Sequence, residues 1–289
     1  SAGDYAVQEV AMPRFNRDTT DIPWEYCSNI GYGQWSWKPH DNLRPTSAWI
    51  RTLIDCACRD GNYLLGLSAT PKGRFEPRLV DQLRQLGLWL DRYGDSIYGT
   101  RGGPFKPNAW YGSTCKGNNI YLHVFRTDNG SLKLPPISKK IVRYHLMNGG
   151  DLNVEQTDGS VIVTIDEHDF QETDTIVVLE LDGSAEEIRP VEEQPVSTGS
   201  IVYASNVRQN KKEYLPELTT DGDRSTCWTT DEGVSRGWIE YDLGKPRTIS
   251  RAMLDEAEDE WIRHIQIQAK VDGAWKTVGE VRAGWEGPG

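Results

Sequence analysis

The spacing of hydrophobic residues in the first hundred positions predicts two helices with a buried strand between them. Apolar residues recur three and four positions apart over residues 49–57, with Asp60-Gly61 as the expected helix end, and again over residues 77–92, as on one face of an amphipathic helix. Thr46 or Ser47 is the expected N-cap of the first helix. Residues 63–67 form a short apolar run between turn signals, which indicates a strand of a parallel sheet with both faces covered. This order of elements is typical of an α/β barrel.

Beyond this region the pattern changes to short β-rich runs separated by turn residues. We predict strands at residues 119–125, 140–146, 160–165 and 175–181. Short strands at regular spacing are typical of an antiparallel β-sandwich. The sequence therefore predicts a multidomain chain of α/β and all-β parts. These are an α/β part in residues 1–101, a β-sandwich in 102–183, an acidic linker in 184–199 and an all-β unit in 200–289.

Composition narrows the class of partner. The net charge of −11 and the absence of long basic runs argue against a nucleic-acid partner, because phosphate neutralisation needs clustered Lys and Arg. No stretch approaches the roughly twenty apolar residues that span a bilayer. The 11 Trp and 12 Tyr favour a carbohydrate ligand, since aromatic faces stack on sugar rings, although hydrophobic cores also contain many aromatics. The five Cys show no metal-ligand spacing and are expected to be buried small hydrophobes.

Three motifs carry a family resemblance. Residues 23–27 read Pro-Trp-Glu-Tyr-Cys, residues 61–65 read Gly-Asn-Tyr-Leu-Leu, and residues 94–101 read Gly-Asp-Ser-Ile-Tyr-Gly-Thr-Arg. In this order they resemble the C-terminal part of the catalytic domain of the retaining α-L-fucosidases, glycoside hydrolase family 29. Members usually read Trp-Glu-x-Cys, Gly-Asn-Leu-Leu-Leu-Asn and Gly-Glu-Ala-Ile-Tyr-Gly-Thr. This chain departs from that pattern at residues 66–71, a loop at the mouth of the site.

The resemblance implies an exo-acting glycoside hydrolase that removes terminal α-L-fucose from fucosylated glycans with retention of configuration. Residues 1–101 would then be the closing part of a (β/α)8 barrel. The barrel segment upstream, with the nucleophilic Asp, would be missing, so this chain alone would be inactive. Catalysis would need no cofactor, and the location would be extracellular or periplasmic.

Two glutamates are candidates for the general acid/base. Glu9 lies in a Gly-Asp-Tyr-Ala-Val-Gln-Glu segment similar to the family's Gly-Asp-Phe/Tyr-x-Thr-Pro-Glu, and Glu25 lies in the Trp-Glu-x-Cys motif. Retaining enzymes need two carboxyl groups, and this chain would supply the second of them. We prefer Glu9 and keep Glu25 as the rival. By the same resemblance Trp35 and Trp37 would contact the sugar, the alternative being that they close the barrel as hydrophobic side chains.

The third unit carries a second resemblance. Its segment 218–228, Leu-Thr-Thr-Asp-Gly-Asp-Arg-Ser-Thr-Cys-Trp, is similar to the discoidin-like, coagulation-factor type C domains, many of which bind carbohydrate; the unit is shorter than such domains. The resemblance implies a structural Ca²⁺ site at Asp221, Asp223 and Thr226, because hard oxygen ligands suit that ion. The alternative is an Asp-Gly turn with an Asp cap.

Two further readings of function stay open. The chain could be a non-catalytic carbohydrate-binding or structural fragment, because the nucleophile lies outside it. It could also belong to a related glycosidase with altered sugar specificity, which the departure at residues 66–71 favours.

Overall fold

The computed structural model describes most of the chain in two separate units. The described residues are 5–9, 22–32, 35–191, 197–221, 226–249, 252, 254, 262 and 264–282. The chain divides into residues 1–193 and residues 194–289. We describe each unit by itself.

The first unit begins with parallel strands and two helices and continues with antiparallel strands. The early elements are β1 (Ala6–Glu9), β2 (Trp24–Asn29), α1 (Thr46–Cys58), β3 (Asn62–Gly66) and α2 (Pro77–Tyr93). The later ones are β4 (Arg101–Gly102), β5 (Tyr111–Lys116), β6 (Asn119–Val124), β7 (Ser131–Leu134), β8 (Ile141–Leu146), β9 (Leu152–Gln156), β10 (Val161–Ile165) and β11 (Thr175–Leu181). The two predicted helices and the predicted strand between them are confirmed within one or two residues.

Strands β1, β2 and β3 form a parallel sheet in that order. On one face Trp24 and Tyr26 of β2 pack with Cys56 of α1, and the ring of Tyr63 stacks on Tyr26 with centroids 6.0 Å apart. The Trp24 indole donates to the carbonyl of Arg59 at 3.2 Å, which fixes the end of α1 against the sheet. Alternation along β2 therefore directs its aromatic residues to the helices.

Helix α1 is enclosed on all sides. Each of its 13 residues is buried or half-buried, and Trp49 and Ile54 have no exposed surface. Its N-cap is Pro45 and no side chain caps the helix, so the predicted cap at Thr46 or Ser47 is wrong. The hydroxyl of Thr46 donates instead to Oε1 of Gln85 on α2, at 3.1 Å. A tertiary hydrogen bond has replaced the local one.

Two antiparallel sheets share the largest core of the unit. One has the order β4-β5-β6-β11-β8 and the other β7-β10-β9. Their inward residues, among them Leu122 and Leu179 of the first sheet and Leu132 and Val163 of the second, form one hydrophobic cluster. Burial of such side chains contributes about 1.5–3 kcal/mol each. The sequence pattern did not predict β5, β7 and β9, because these strands lack continuous apolar runs.

The outer face of the five-stranded sheet lies against α1. A Cβ at Gly112 would be 2.8 Å from Sγ of Cys58, and a Cβ at Gly102 would be 2.7 Å from the carbonyl oxygen of Cys58. Arg51 crosses the same junction: it donates to the carbonyls of Glu172 and Thr173, both at 2.6 Å. The two glycines thus allow the helix to approach the sheet closely, and the hydrogen bonds of Arg51 hold it there.

A buried histidine–aspartate pair lies at this junction. Nδ1 of His123 is 2.8 Å from Oδ2 of Asp174, and both side chains are fully buried. The other polar atoms, Nε2 of His123 and Oδ1 of Asp174, have no hydrogen-bond partner among the described residues. Because a buried polar group is costly when unpaired, each member of this pair depends on the other.

The opposite face of the parallel sheet is open in this structure. Val7 is 51 % exposed and Leu64 is 49 % exposed, while Glu25 and Cys27 on the same registers are half-buried. The prediction that residues 63–67 are covered on both faces is therefore wrong for the described residues. Parallel sheets are normally covered on both faces, so an apolar covering element is expected on this one.

The predicted linker 184–199 is too long at its N-terminal end. Ala185 and Ile188 are buried in the main core, and Val191 forms a bridge with Phe105. Residues 192–196 lie outside the described residues. The buried side chains of Ala185 and Ile188 therefore anchor a segment whose acidic composition indicated a linker.

The described residues of the second unit contain two antiparallel strand pairs. β12 (Ile201–Ala204) pairs with β13 (Ile239–Asp242), and β14 (His264–Val271) pairs with β15 (Ala274–Arg282). Asp272 and Gly273, with φ of 53° and 79°, form the two-residue turn of the latter hairpin. Among the described residues of both units, no helix has the length and apolar character needed to span a bilayer.

Gly61→Ala tests the packing of β3 and α1 on Trp24. A Cβ at position 61 would lie 2.2 Å from Cε2 of Trp24, so we expect a loss of about 1–3 kcal/mol in the free energy of unfolding. Gly87→Ala on α2 is the control, because no atom lies within 4 Å of its Cβ position. There we expect a gain of about 0.5–1 kcal/mol. Urea unfolding measures both, and equal effects would contradict the packing described.

Asp174→Ala tests the buried pair. Because it leaves His123 buried without its partner, we expect a loss of about 3 kcal/mol in urea unfolding. Asp166→Ala is the matched control, since the His168–Asp166 pair is solvent-exposed at 3.4 Å; we expect less than about 1 kcal/mol. A loss at Asp174 as small as that at Asp166 would show that the buried pair does not hold the junction.

Candidate active site

The carboxyl ends of β2 and β3 bring Trp35 and the loop that carries Trp37 to one edge of the sheet, whereas Glu25 lies near the amino end of β2. β1 ends at Glu9, β2 ends at Asn29, and β3 ends at Gly66, with Asn29 paired to Gly66. In parallel β/α units, the loops that follow the strands form the functional face. Residues 35–43, after β2, and residues 67–76, after β3, are the described loops at this edge.

The two glutamates lie at different heights on the sheet. Glu9 is the last residue of β1 and pairs with Cys27; its side chain lies outside the described residues. Glu25 is the second residue of β2, pairs with Val7 and Asn62, and is half-buried. The two positions are two registers apart, roughly 7 Å along the strands. Glu9 is therefore the nearer of the two to the carboxyl edge.

Trp35 is an exposed indole at the same edge. It is 46 % exposed, and the edge of its six-membered ring lies over Gly66, where a Cβ would be 3.1 Å from Cζ3. The hydroxyl of Ser68 donates to the carbonyl of Trp35 at 2.8 Å. The described contacts thus join the loop after β2 to the end of β3.

Trp37 is anchored by an ion-pair network. Its Nε1–H donates to Oε1 of Glu76 at 2.6 Å, and Nε of Arg78 donates to Oε2 of Glu76 at 2.5 Å. Arg78 also donates to the carbonyl of Asp41 at 2.6 Å. The hydrogen bonds from Trp37 and Arg78 hold the pKa of Glu76 below its ordinary value of 4.5. Since its polar atom is already engaged, Trp37 acts in this structure as a link between loops.

Sequence reasoning missed Glu76 and Arg78. Neither belongs to a family motif, and a Glu-Pro-Arg sequence at the start of a helix indicates only a helix N-terminus. One signal could have indicated them. Glu76 is followed two positions later by Arg78, and both come shortly after residues 66–71, where the sequence differs from the family pattern.

The polar groups on the helix side of the sheet are structural. Ser28 and Tyr63 share a hydrogen bond of 3.0 Å between their hydroxyls. Burial raises the pKa of Tyr63 above its ordinary value of 10, and burial likewise raises the pKa of the Cys56 and Cys58 thiols. Buried thiols of raised pKa are unreactive.

A cavity of about 490 Å³ lies elsewhere, between α1, α2 and the amino end of β3. It is lined by Leu53, Leu86, Leu90 and Asn62 together with residues 97–100, and by neither Trp35 nor Trp37. This cavity is therefore distinct from the carboxyl edge.

The segment 94–101 connects the two parts of the first unit. It follows the end of α2 at Tyr93 and leads into β4. Both guanidinium Nε and Nη2 of Arg101 donate to the carboxylate of Asp60, and Oδ1 of Asp60 also accepts from the amide of Gly102 at 3.0 Å. The segment therefore ties the end of α1 to the antiparallel sheet.

In the second unit, two of the three predicted metal ligands lie together. Oγ1 of Thr226 donates to Oδ2 of Asp221 at 2.9 Å and contacts the carbonyl of Leu218 at 3.2 Å. Asp223 lies outside the described residues. Within the described ranges no cluster of three His, Cys, Asp or Glu side chains is placed to hold a metal ion. The oxygen donors that are described suit a hard cation.

With this geometry in place, comparison with known proteins gives two family matches. Residues 1–95 match the model "Alpha-L-fucosidase", and residues 201–288 match "F5/8 type C domain". The α-L-fucosidase of Dictyostelium discoideum is 30 % identical over 119 residues, which are 38 % of this chain and 25 % of that protein. The chain thus spans about a quarter of the length of this curated relative.

Solved structures give the same result. The α-L-fucosidase isoenzyme 1 of Paenibacillus thiaminolyticus has a TM-score of 0.57 at 26 % identity, covering 63 % of this chain and 46 % of that one. A family 29 α-L-fucosidase of Bacteroides thetaiotaomicron, solved as a trapped covalent intermediate with 2-fluoro-fucosyl fluoride, has a TM-score of 0.56 at 21 % identity, covering 63 % and 44 %.

The relative and the solved structures named here are α-L-fucosidases, which are glycoside hydrolases. Residues 1–95 of the chain are thus similar to part of that family, and residues 201–288 are similar to the discoidin-like type C domains.

Glu76→Gln tests the network that anchors Trp37. Because the folded pKa of Glu76 is lowered, its ionised form stabilises the fold at pH values above about 4.5, and this contribution is lost as pH falls through the lower folded value. We expect wild type to be more stable than Glu76→Gln near pH 7 and the difference to shrink on acidification. Thermal unfolding between pH 3 and 7 measures it. Asp81→Asn, in an exposed pair with Arg84, is the control; a difference that stays constant with pH would contradict the network.

Proposed function

We propose that the chain is the C-terminal part of a retaining exo-α-L-fucosidase that hydrolyses terminal α-L-fucose from glycans. The observation that carries the proposal is the match of residues 1–95 to the α-L-fucosidase family, on a parallel sheet whose carboxyl edge presents an exposed indole. In this proposal β1–β3 with α1 and α2 are closing units of a (β/α)8 barrel. The two antiparallel sheets form the β-sandwich that follows it.

The register of the sheet supports Glu9 over Glu25 as acid/base. Glu9 is the last residue of β1, at the level of Cys27 and Leu64 and two residues before the ends of β2 and β3, whereas Glu25 lies two registers further towards the amino end. Reactive groups of β/α barrels come from the carboxyl ends of strands. In the first step Glu9 protonates the glycosidic oxygen while a nucleophilic carboxylate attacks the anomeric carbon. In the second step the Glu9 carboxylate removes a proton from water, which displaces the enzyme and releases fucose.

The nucleophile is proposed to come from polypeptide that covers the open face of the parallel sheet. The exposed Val7 and Leu64 on that face support this, as does the fraction of the relatives' length that the chain spans. Trp35 contacts the sugar through its exposed ring surface, and Trp37 contributes by holding the loop. The trapped covalent intermediate of the Bacteroides thetaiotaomicron relative is consistent with double displacement, which we extend to this chain by proposal.

The second unit is proposed to tether the enzyme to its glycan substrate. Asp221 and Thr226 fit a structural Ca²⁺ site, completed by Asp223, and the ion would hold the loop in shape without taking part in hydrolysis. No cofactor enters the catalytic steps. The same proposal locates the protein outside the cell or in the periplasm and makes fucosylated oligosaccharides or glycoconjugates its partners.

Two alternatives each rest on one observation. The open sheet face favours a non-catalytic carbohydrate-binding or structural role for this polypeptide by itself. The departure of residues 66–71 from the family pattern favours a related glycosidase with a different sugar preference.

The proposal is tested by comparing Glu9→Gln with Glu25→Gln in the full-length gene product. Loss of the general acid slows hydrolysis most for substrates whose leaving group must be protonated. For Glu9→Gln we therefore expect kcat/KM to fall about 10²–10⁴-fold on a fucosylated oligosaccharide. On 4-nitrophenyl α-L-fucoside, whose leaving group needs little protonation, the fall should be much smaller. Glu25→Gln should show no such dependence on leaving group.

Three results would contradict the proposal. If the leaving-group dependence appears in Glu25→Gln alone, the acid/base is Glu25. If the full-length gene product hydrolyses neither fucoside but binds glycans, the non-catalytic alternative holds. If it hydrolyses another glycoside faster, the sugar assignment is wrong.

A further inference from the structure

We propose that three residues of the β3–α2 connection, Gly66, Ser68 and Glu76, position the Trp35 indole as a fixed platform for the sugar ring. We call these residues the Trp35 seat. The inference rests on the proposed function for the identity of the ligand, and on the described contacts for the seat itself.

Gly66 contributes space. Its backbone is not in the left-handed region, so a glycine is not required here by φ. What its missing side chain allows is the approach of Trp35, since a Cβ would lie 3.1 Å from Cζ3 and 3.3 Å from Cε3 of the indole. Both contacts are closer than van der Waals packing permits without movement. A side chain at position 66 would therefore require the ring to move by about a few tenths of an ångström.

Ser68 and Glu76 contribute two hydrogen-bonded anchors, one at Trp35 and one at Trp37. Ser68 holds the backbone of Trp35 through its carbonyl at 2.8 Å. Glu76 holds Trp37, two residues further on, at 2.6 Å, and is itself held by Arg78, which also binds the carbonyl of Asp41. The segment 35–41 is thus attached at three points to the segment that follows β3.

This arrangement leaves an exposed aromatic beside two close contacts. Trp35 keeps 46 % of its surface accessible, while Ser68 binds its carbonyl and its ring edge lies over Gly66. A ring that is ordered before binding does not lose freedom of movement on binding, which improves affinity without adding contacts. The apolar C–H face of a deoxy sugar is the chemistry that such a ring surface takes. The seat therefore sets affinity for the sugar, and its residues act through Trp35 without touching the reacting atoms.

The seat itself is tested in the chain labelled with 5-fluorotryptophan, with Trp35→Phe and Trp37→Phe to assign the ¹⁹F signals. We expect Gly66→Ala to shift the Trp35 signal and Glu76→Ala to shift the Trp37 and Trp35 signals, both with the Trp49 signal unchanged. Gly87→Ala and Asp81→Asn are the matched controls, because the first has nothing within 4 Å and the second lies in an exposed pair. A Trp35 signal that stays unmoved in folded Gly66→Ala and Glu76→Ala would overturn the seat.

The effect on binding is tested in the full-length gene product with 4-nitrophenyl α-L-fucoside. We expect Gly66→Ala and Glu76→Ala to raise KM about tenfold with kcat nearly unchanged, and Glu76→Gln, which keeps an acceptor for Trp37, to recover most of the loss. Equal falls in kcat and kcat/KM, or an unchanged KM, would overturn the positioning role. If wild type hydrolyses no fucoside, the proposed function and this role in it fail together, while the ¹⁹F signals still decide whether the seat exists.

Discussion

Helix α1 holds the first unit together because it is packed on both sides. One side meets the aromatic face of the parallel sheet through Cys56, and the other meets the five-stranded antiparallel sheet through Cys58. A helix buried in this way must match two surfaces at once, which is why small residues recur wherever it comes closest. Arg51 and the buried pair of His123 and Asp174 add polar contacts at the second surface. The fold around the candidate site depends on this doubly packed helix.

The position of α1 also determines the geometry of the site. The helix joins β2 to β3, whose carboxyl ends lie side by side because the strands pair as far as Asn29 and Gly66, and its packing fixes the sheet on the side that faces the helices. The loops that leave those ends are then cross-linked by the network of Trp37, Glu76 and Arg78. An exposed aromatic is held in place for a ligand when rigid strands and helices support its loop and hydrogen bonds cross-link that loop to its neighbour. The Trp35 seat follows from this arrangement.

The sequence predicts those features that depend on local pattern. The helices of residues 46–58 and 77–93 follow from apolar spacing, and the motif around Glu25 indicates the family. Three features depend on tertiary contacts and were not predictable: the cap at Pro45, the burial of Ala185 and Ile188, and the anchoring of Trp37 by Glu76. Family motifs identified Trp37 as a sugar contact, but its Nε1–H is engaged with a carboxylate far along the chain. The apolar run at residues 63–67 likewise did not show that one face of the sheet is exposed among the described residues.

We propose that α-L-fucose binds at the carboxyl edge of β1–β3, with Glu9 as the acid/base. A crystal structure of the full-length gene product soaked with L-fucose tests this most directly. We expect the carboxyl group of Glu9 within hydrogen-bond distance of the anomeric oxygen and the exposed surface of Trp35 against the sugar. Fucose bound elsewhere, such as in the cavity between α1 and α2, or bound at this edge with Glu25 in place of Glu9 at the anomeric oxygen, would contradict it.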